Sequence, residues 1–116
     1  MRTILVVDDH GPYRATARAL LEAEGYNVVG EAADGASAIA ETERLDPEIV
    51  LLDVQLPDID GFEVAARLAQ NKTRSQIVLI SSRAAEDFGS LVGESGARGF
   101  VSKDELSGAA IEALVE

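Results

Sequence analysis

Cysteine is absent from this 116-residue chain, which excludes disulfides and thiolate metal sites. That absence fits a reducing compartment. Long hydrophobic runs are missing too. The most apolar stretches, "ILVV" from Ile4 and "IVLL" from Ile49, fall far short of the roughly 20 residues a membrane-spanning helix needs. Met1-Arg2-Thr3 leads directly into the first apolar run, without the build of a signal peptide or anchor. A cytoplasmic protein without a membrane partner is expected. Basic residues are few: 10 Lys and Arg stand against 21 Asp and Glu, a net charge of −11. Direct contact with nucleic acid through its phosphates is therefore not expected of this domain. Most of that charge serves solubility, although an acidic chain also has a use for a cation. No internal repeat, low-complexity stretch or linker interrupts the sequence.

What is present suits one domain over residues 1–116, since 47% of residues are apolar and a core can form without staples. Four runs stand out: "ILVV" at Ile4, "IVLL" at Ile49, "IVLI" at Ile77 and "GFV" at Gly99. A weaker one, "NVVGEAA", begins at Asn27. They are short, rich in Val and Ile, and continuous rather than alternating, as in parallel strands covered on both faces. Between them lie helix-period stripes: Tyr13, Ala17, Leu20 and Leu21, closed by Gly25; Ala36, Ile39 and Ala40, ending before Pro47; Phe62, Ala65, Ala66 and Ala69. Phe88, Leu91 and Val92 suggest a fourth helix that contains Gly89 and Gly93. Leu106, Ala109, Ala110, Ala113 and Leu114 form a clean fifth stripe. The β-α alternation predicts an α/β doubly wound five-stranded parallel sheet, flavodoxin-like in order 2-1-3-4-5, with helices on both faces.

In such a sheet ligands bind beyond the carboxyl ends of the strands. The first strand runs into Asp8 and Asp9, the third into Asp53, the fourth into Ser81 and Ser82, the fifth into Ser102 and Lys103. Adjacent like charges at about 4 Å repel by about 4 kcal/mol at an effective dielectric near 20. Three carboxylates gathered at one edge need a counter-charge. Hard oxygen ligands without His or Cys suit Mg²⁺, with Mn²⁺ as a substitute. Lys103 supplies a point charge and Ser81 a hydroxyl for phosphoryl oxygens, while Asp53 on the central strand is the candidate nucleophile. Together they describe a phosphoryl-transfer site that works by positioning and charge stabilisation.

These motifs, "ILVVDDH", "IVLLDVQLPDIDGFEV", "IVLISS" and "GARGFVSKDEL", are spread over residues 4–106 and appear in order. The chain resembles the receiver domain of bacterial two-component response regulators. The resemblance implies that Asp53 accepts a phosphoryl group from a phosphohistidine of a histidine kinase or phosphotransfer protein. It implies Mg²⁺ held by Asp8, Asp9, Asp53 and the backbone carbonyl of Gln55. Ser81 matches the switch hydroxyl, Lys103 the lysine of the site, Phe100 the aromatic switch, and Pro57 and Gly61 the loop after the acceptor strand. The implied output is a changed surface around the fourth helix, fifth strand and fifth helix, acting on a phosphorylation-dependent homodimer or a downstream effector. The domain would catalyse only its own phosphorylation and slow dephosphorylation. Three positions depart from the common pattern: Ser81 where Thr is frequent, Phe100 where Tyr is common, and Lys103-Asp104 where many receivers have Lys-Pro. The Lys-Asp form is familiar in receivers attached to helix-turn-helix outputs.

Plainer readings exist for several of these residues. Asp8 or Asp9 could cap the first helix, and Ser82 is well placed to cap the fourth. Asp58 and Asp60 read as loop and cap residues outside the site. His10, the only histidine, invites a catalytic role, but the plainer reading is preferred because it sits just past the acidic pair. Two other functions are open to such a fold. A Mg²⁺-dependent phosphatase of haloacid-dehalogenase type would show Asp-x-Asp after its first strand, whereas here the pair is adjacent. A flavodoxin would need a Ser/Thr/Gly-rich phosphate loop where "DDHGPYR" stands.

Overall fold

The structure, a computed structural model, describes residues 2–116. It alternates β1 (Thr3–Val7), α1 (Gly11–Ala23), β2 (Asn27–Ala32), α2 (Gly35–Leu45), β3 (Ile49–Asp53), α3 (Gly61–Gln70), β4 (Gln76–Ser81), α4 (Leu91–Glu94), β5 (Gly99–Ser102) and α5 (Gly108–Glu112). The strands form one all-parallel sheet in the order β2-β1-β3-β4-β5. The expected fold class is therefore observed. The central strands are apolar throughout because both faces are covered. Ile4, Val6, Ile49, Leu51, Val78 and Ile80 pack with Ala17, Leu21 and Ile111 on the α1/α5 side. Leu5, Val7, Val50, Leu52, Ile77 and Leu79 pack with Ala38, Val64 and Leu68 on the α2/α3 side. Among the described residues no helix is long and apolar enough to cross a membrane.

Two helices are shorter than their stripes suggest. The fourth is split into a 3-10 turn, Ala85–Phe88, and the single turn of α4. Gly89 lies between them at φ 59° and ψ −132°, a positive-φ conformation that ends the helical run and that glycine adopts without steric penalty. The fifth stripe runs from Leu106 to Leu114, but α5 begins only after Ser107, whose side chain accepts from the Ala110 N–H at 3.0 Å. Leu106 and Leu114 still pack on the core from outside the helix.

Of the caps read from the sequence, one is observed and the others are not. The N-cap position of α1 is His10, without a side-chain hydrogen bond, and neither Asp8 nor Asp9 caps that helix. Ser82 caps nothing, since Ala84 precedes the 3-10 turn. Asp60 caps α3, accepting from the Glu63 N–H at 2.9 Å. Asp58 reaches a different helix: it accepts from the N–H groups of Gly35 at 2.7 Å and Ala36 at 2.9 Å. One carboxylate thus ties the β3–α3 loop to the start of α2.

Candidate functional site

Strand alternation continues past the strand ends and sorts the polar residues. Asp8 follows Val6, Asp53 follows Leu51 and Lys103 follows Val101, all on the α1/α5 side of the sheet. Ser81 follows Ile77 and Leu79, which face the other side. The first three accordingly meet and Ser81 stands apart. Lys103 Nζ lies 2.5 Å from Asp8 Oδ2 and 3.1 Å from Asp53 Oδ2. Asp8 is fully buried and Asp53 nearly so, at 0% and 2% exposure. Two carboxylates therefore share one ammonium in a place with little water.

Each carboxylate has its second oxygen fixed by backbone. The His10 N–H donates to Asp8 Oδ1 at 2.8 Å, and the Gln55 N–H donates to Asp53 Oδ1 at 3.1 Å. Arg14 Nη1 donates to the Asp8 carbonyl at 2.6 Å and its Nε to Glu31 at 3.0 Å, which holds the β1–α1 junction. Asp8 Oδ2 is buried, and for all its closeness to Lys103 it accepts no hydrogen bond of good geometry. Burial lifts the Asp53 carboxyl above its ordinary range, helped by the Asp8 charge and opposed by the Gln55 N–H and Lys103. Burial would lower Lys103, but the two carboxylates more than offset it and the net shift is upward.

The remaining candidates sit around this centre. Asp9 is exposed beside Asp8, and its carboxylate lies 4.0 Å from His10 Nδ1. Asp8, Asp9 and His10 each offer a ligand atom within 4.8 Å of the others. Gln55 is exposed at the lip of the site. Ser81 is fully buried, and its Oγ accepts from the Arg83 N–H at 3.0 Å; it makes no hydrogen bond to Asp53 or Lys103. Phe100 is half-buried against Phe88, centroids 6.0 Å apart, and Phe88 in turn meets Phe62 at 5.5 Å. The loop after Asp53 returns tightly. The Gly61 N–H donates to the Val54 carbonyl at 2.7 Å, and a Cβ on Gly61 would lie 2.5 Å from the Asp53 carbonyl oxygen.

One contact was not legible beforehand. Tyr13 reads in sequence as a core-facing helix residue, and it does pack against the α1/α5-side core. Its hydroxyl also donates to the Lys103 carbonyl at 3.1 Å, and Lys103 Nζ lies 4.8 Å from its ring centroid. Nothing in the local pattern marks a partner 90 positions away.

The donor set fits a hard divalent cation: all-oxygen carboxylates, one buried oxygen without a hydrogen bond, and a single ammonium between two acids.

The chain is similar to known proteins along almost its whole length. The family model described as the response regulator receiver domain matches residues 4–115. A Pseudomonas aeruginosa protein described as a transcriptional regulator is 38% identical over 105 residues, 90% of this chain and 51% of its own length. EvgA of Escherichia coli K12, a DNA-binding transcriptional activator, is 34% identical over 101 residues, 87% of this chain and 50% of its own length. The chain thus spans about half the length of these curated relatives. The solved structure of a LuxR-family two-component response regulator from Aurantimonas sp. SI85-9A1 is 34% identical with TM-score 0.89, covering 97% of this chain and 84% of that one. These matches give the haloacid-dehalogenase reading no support. With the motifs, the strand order and the family model in agreement over almost all its length, the chain belongs to the response regulator receiver domains.

Proposed function

We propose that this receiver domain takes its phosphoryl group on Asp53, from a phosphohistidine of a histidine kinase or phosphotransfer protein in the cytoplasm. The observation that carries the reading is Lys103 Nζ between Asp8 Oδ2 and Asp53 Oδ2, at the carboxyl end of the central strand. A carboxylate oxygen of Asp53 attacks phosphorus; the new O–P bond forms as the P–N bond of the donor breaks, and the imidazole nitrogen leaves with the electron pair. Lys103 is already at the acceptor and needs no reorganisation to meet the incoming charge. Asp8, Asp9, Asp53 and the Gln55 carbonyl are the residues that would hold Mg²⁺, or Mn²⁺ in its place. A bound ion of this kind neutralises phosphoryl oxygens and the clustered carboxylates. The domain acts on no outside substrate, only on its own acyl phosphate, which it hydrolyses slowly.

Ser81 and Phe100 form the proposed relay. Ser81 has to leave its Arg83 contact to reach a phosphoryl oxygen on Asp53, because alternation points it toward the α2/α3 side. Phe100 packs on that side with Phe88, so movement there reshapes the surface of α4, β5 and α5. The recipient is a second receiver or a downstream effector. A full-length protein built like the relatives would regulate transcription, with its DNA contacts outside this acidic domain.

The test is incubation with Mg²⁺ and acetyl phosphate followed by intact-mass spectrometry. One added phosphoryl group is expected in the parent and none in Asp53→Asn. The same adduct in Asp53→Asn would overturn the assignment.

A further inference from the structure

We propose that Tyr13 is a positioning residue that holds Lys103 over the acidic pair, gripping the lysine at both ends. The inference rests on the phosphoryl-transfer reading of the site and adds to it a residue outside the acidic and switch motifs. Tyr13 stands in the first turn of α1, half-buried against the core. Its hydroxyl donates to the Lys103 carbonyl at 3.1 Å. Its ring lies under the same residue's ammonium, with Nζ 4.8 Å from the centroid. Backbone and side-chain tip of Lys103 are therefore fixed by one side chain from another element.

The lysine needs such a hold. Lys103 opens a 3-10 turn directly after β5, and four flexible carbons separate its backbone from its charge. The two carboxylates attract Nζ but leave its direction open, since a point charge has no preferred angle to its partners. A ring face beneath the ammonium restricts it from one side and is itself fixed by packing. The hydroxyl has to remain a donor for the grip to hold. Burial, with the charges of Asp8, Asp53 and Asp104, pushes its ionisation up to about 12, so it stays protonated at neutral pH.

The chain carries only two lysines, which makes the contact directly visible. Lys72 is exposed in the turn after α3 and serves as an internal reference. In the NMR spectrum the ε-methylene protons of Lys103 are expected upfield of those of Lys72, through the ring current of Tyr13. The displacement should persist in Tyr13→Phe and vanish in Tyr13→Leu. Coincident Lys103 and Lys72 resonances in the parent would overturn the contact. In kinetics, Tyr13→Leu should slow transfer from acetyl phosphate about tenfold, and Tyr13→Phe, which keeps the ring, about threefold. In a Lys103→Ala background Tyr13→Leu should add nothing, because Tyr13 acts through the lysine. An equal slowing in both backgrounds would make Tyr13 a packing residue only. If Tyr13→Leu does not fold, Tyr13→Phe and the parent spectrum still decide the question. A parent that takes no phosphoryl group overturns the assigned function and this inference with it. A parent that is phosphorylated while Tyr13→Phe and Tyr13→Leu match its rate overturns this inference alone.

Discussion

Asp53 sits in a place that disfavours its charge. Burial and the Asp8 carboxylate raise its folded pKa, against the Gln55 N–H and Lys103. A folded value above the unfolded one contributes stability that is fully present below the unfolded pKa, about 4, and is lost as pH rises through the folded value. At neutral pH the ionised group therefore destabilises the metal-free fold, and Asp53→Asn should melt at a higher temperature than the parent. That gain should shrink as pH falls toward about 4. A variant melting below the parent at neutral pH would mean that the Lys103 pairing outweighs burial. Asp58 has the opposite sign. N–H groups of Gly35 and Ala36 hold its carboxyl down at about 2, below the ordinary carboxylate value of 3.8. Its contribution is present above the unfolded pKa and disappears as pH falls through the folded one. Asp58→Asn should accordingly be less stable than the parent at neutral pH. Urea unfolding of both proteins should show the two curves converging near about pH 2. A stability difference independent of pH would remove charge from the role of Asp58.

The elements divide into those held by packing and those held by little. β1, β3 and β4 are buried on both faces, whereas α4 is one turn with no buried residue, and Leu91 on it is 49% exposed. Gly89, with its positive φ, separates this turn from the 3-10 turn carrying Phe88. Elements with few buried contacts are the ones that shift at low free-energy cost. Loading the site with beryllofluoride and Mg²⁺ should therefore alter amide exchange across residues 85–102 as well as at the acceptor loop. Changes confined to residues 53–61 would leave Phe100 as packing and remove α4 and β5 from the output. The same contrast explains what was readable in the sequence. Continuous Val and Ile runs revealed the central strands because double burial leaves no polar face. The stripe around Phe88 and Leu91 looked helical because periodicity does not register a single glycine with positive φ. The fifth stripe misled for a related reason: Leu106 and Leu114 reach the core from non-helical backbone on either side of α5.

At the scale of the whole molecule, the sheet assembles the site from residues nearly the length of the chain apart. Asp8, Asp53 and Lys103 were legible as strand-end residues because fold topology alone brings such ends to one edge. Their sorting by face was not legible, since it depends on where each strand stops; Ser81 falls on the other side for that reason. The bonds from Asp58 to the start of α2 and the place of Tyr13 under Lys103 were invisible because the partners are distant in sequence. The assembled edge carries more negative charge than Lys103 balances, within a chain of net charge −11. A cation that binds this edge only when the fold has gathered it must stabilise the fold by mass action. At about 100 times its dissociation constant, Mg²⁺ should contribute about 2.7 kcal/mol to unfolding free energy. For a domain of this size that is a rise of about 10 °C in melting temperature, read by calorimetry in millimolar Mg²⁺ against chelator. The stabilisation should fall in Asp9→Ala, whose exposed carboxylate holds no part of the core. A parent whose melting temperature ignores Mg²⁺ would leave the edge without its ion, and with it the reason for placing three acids there.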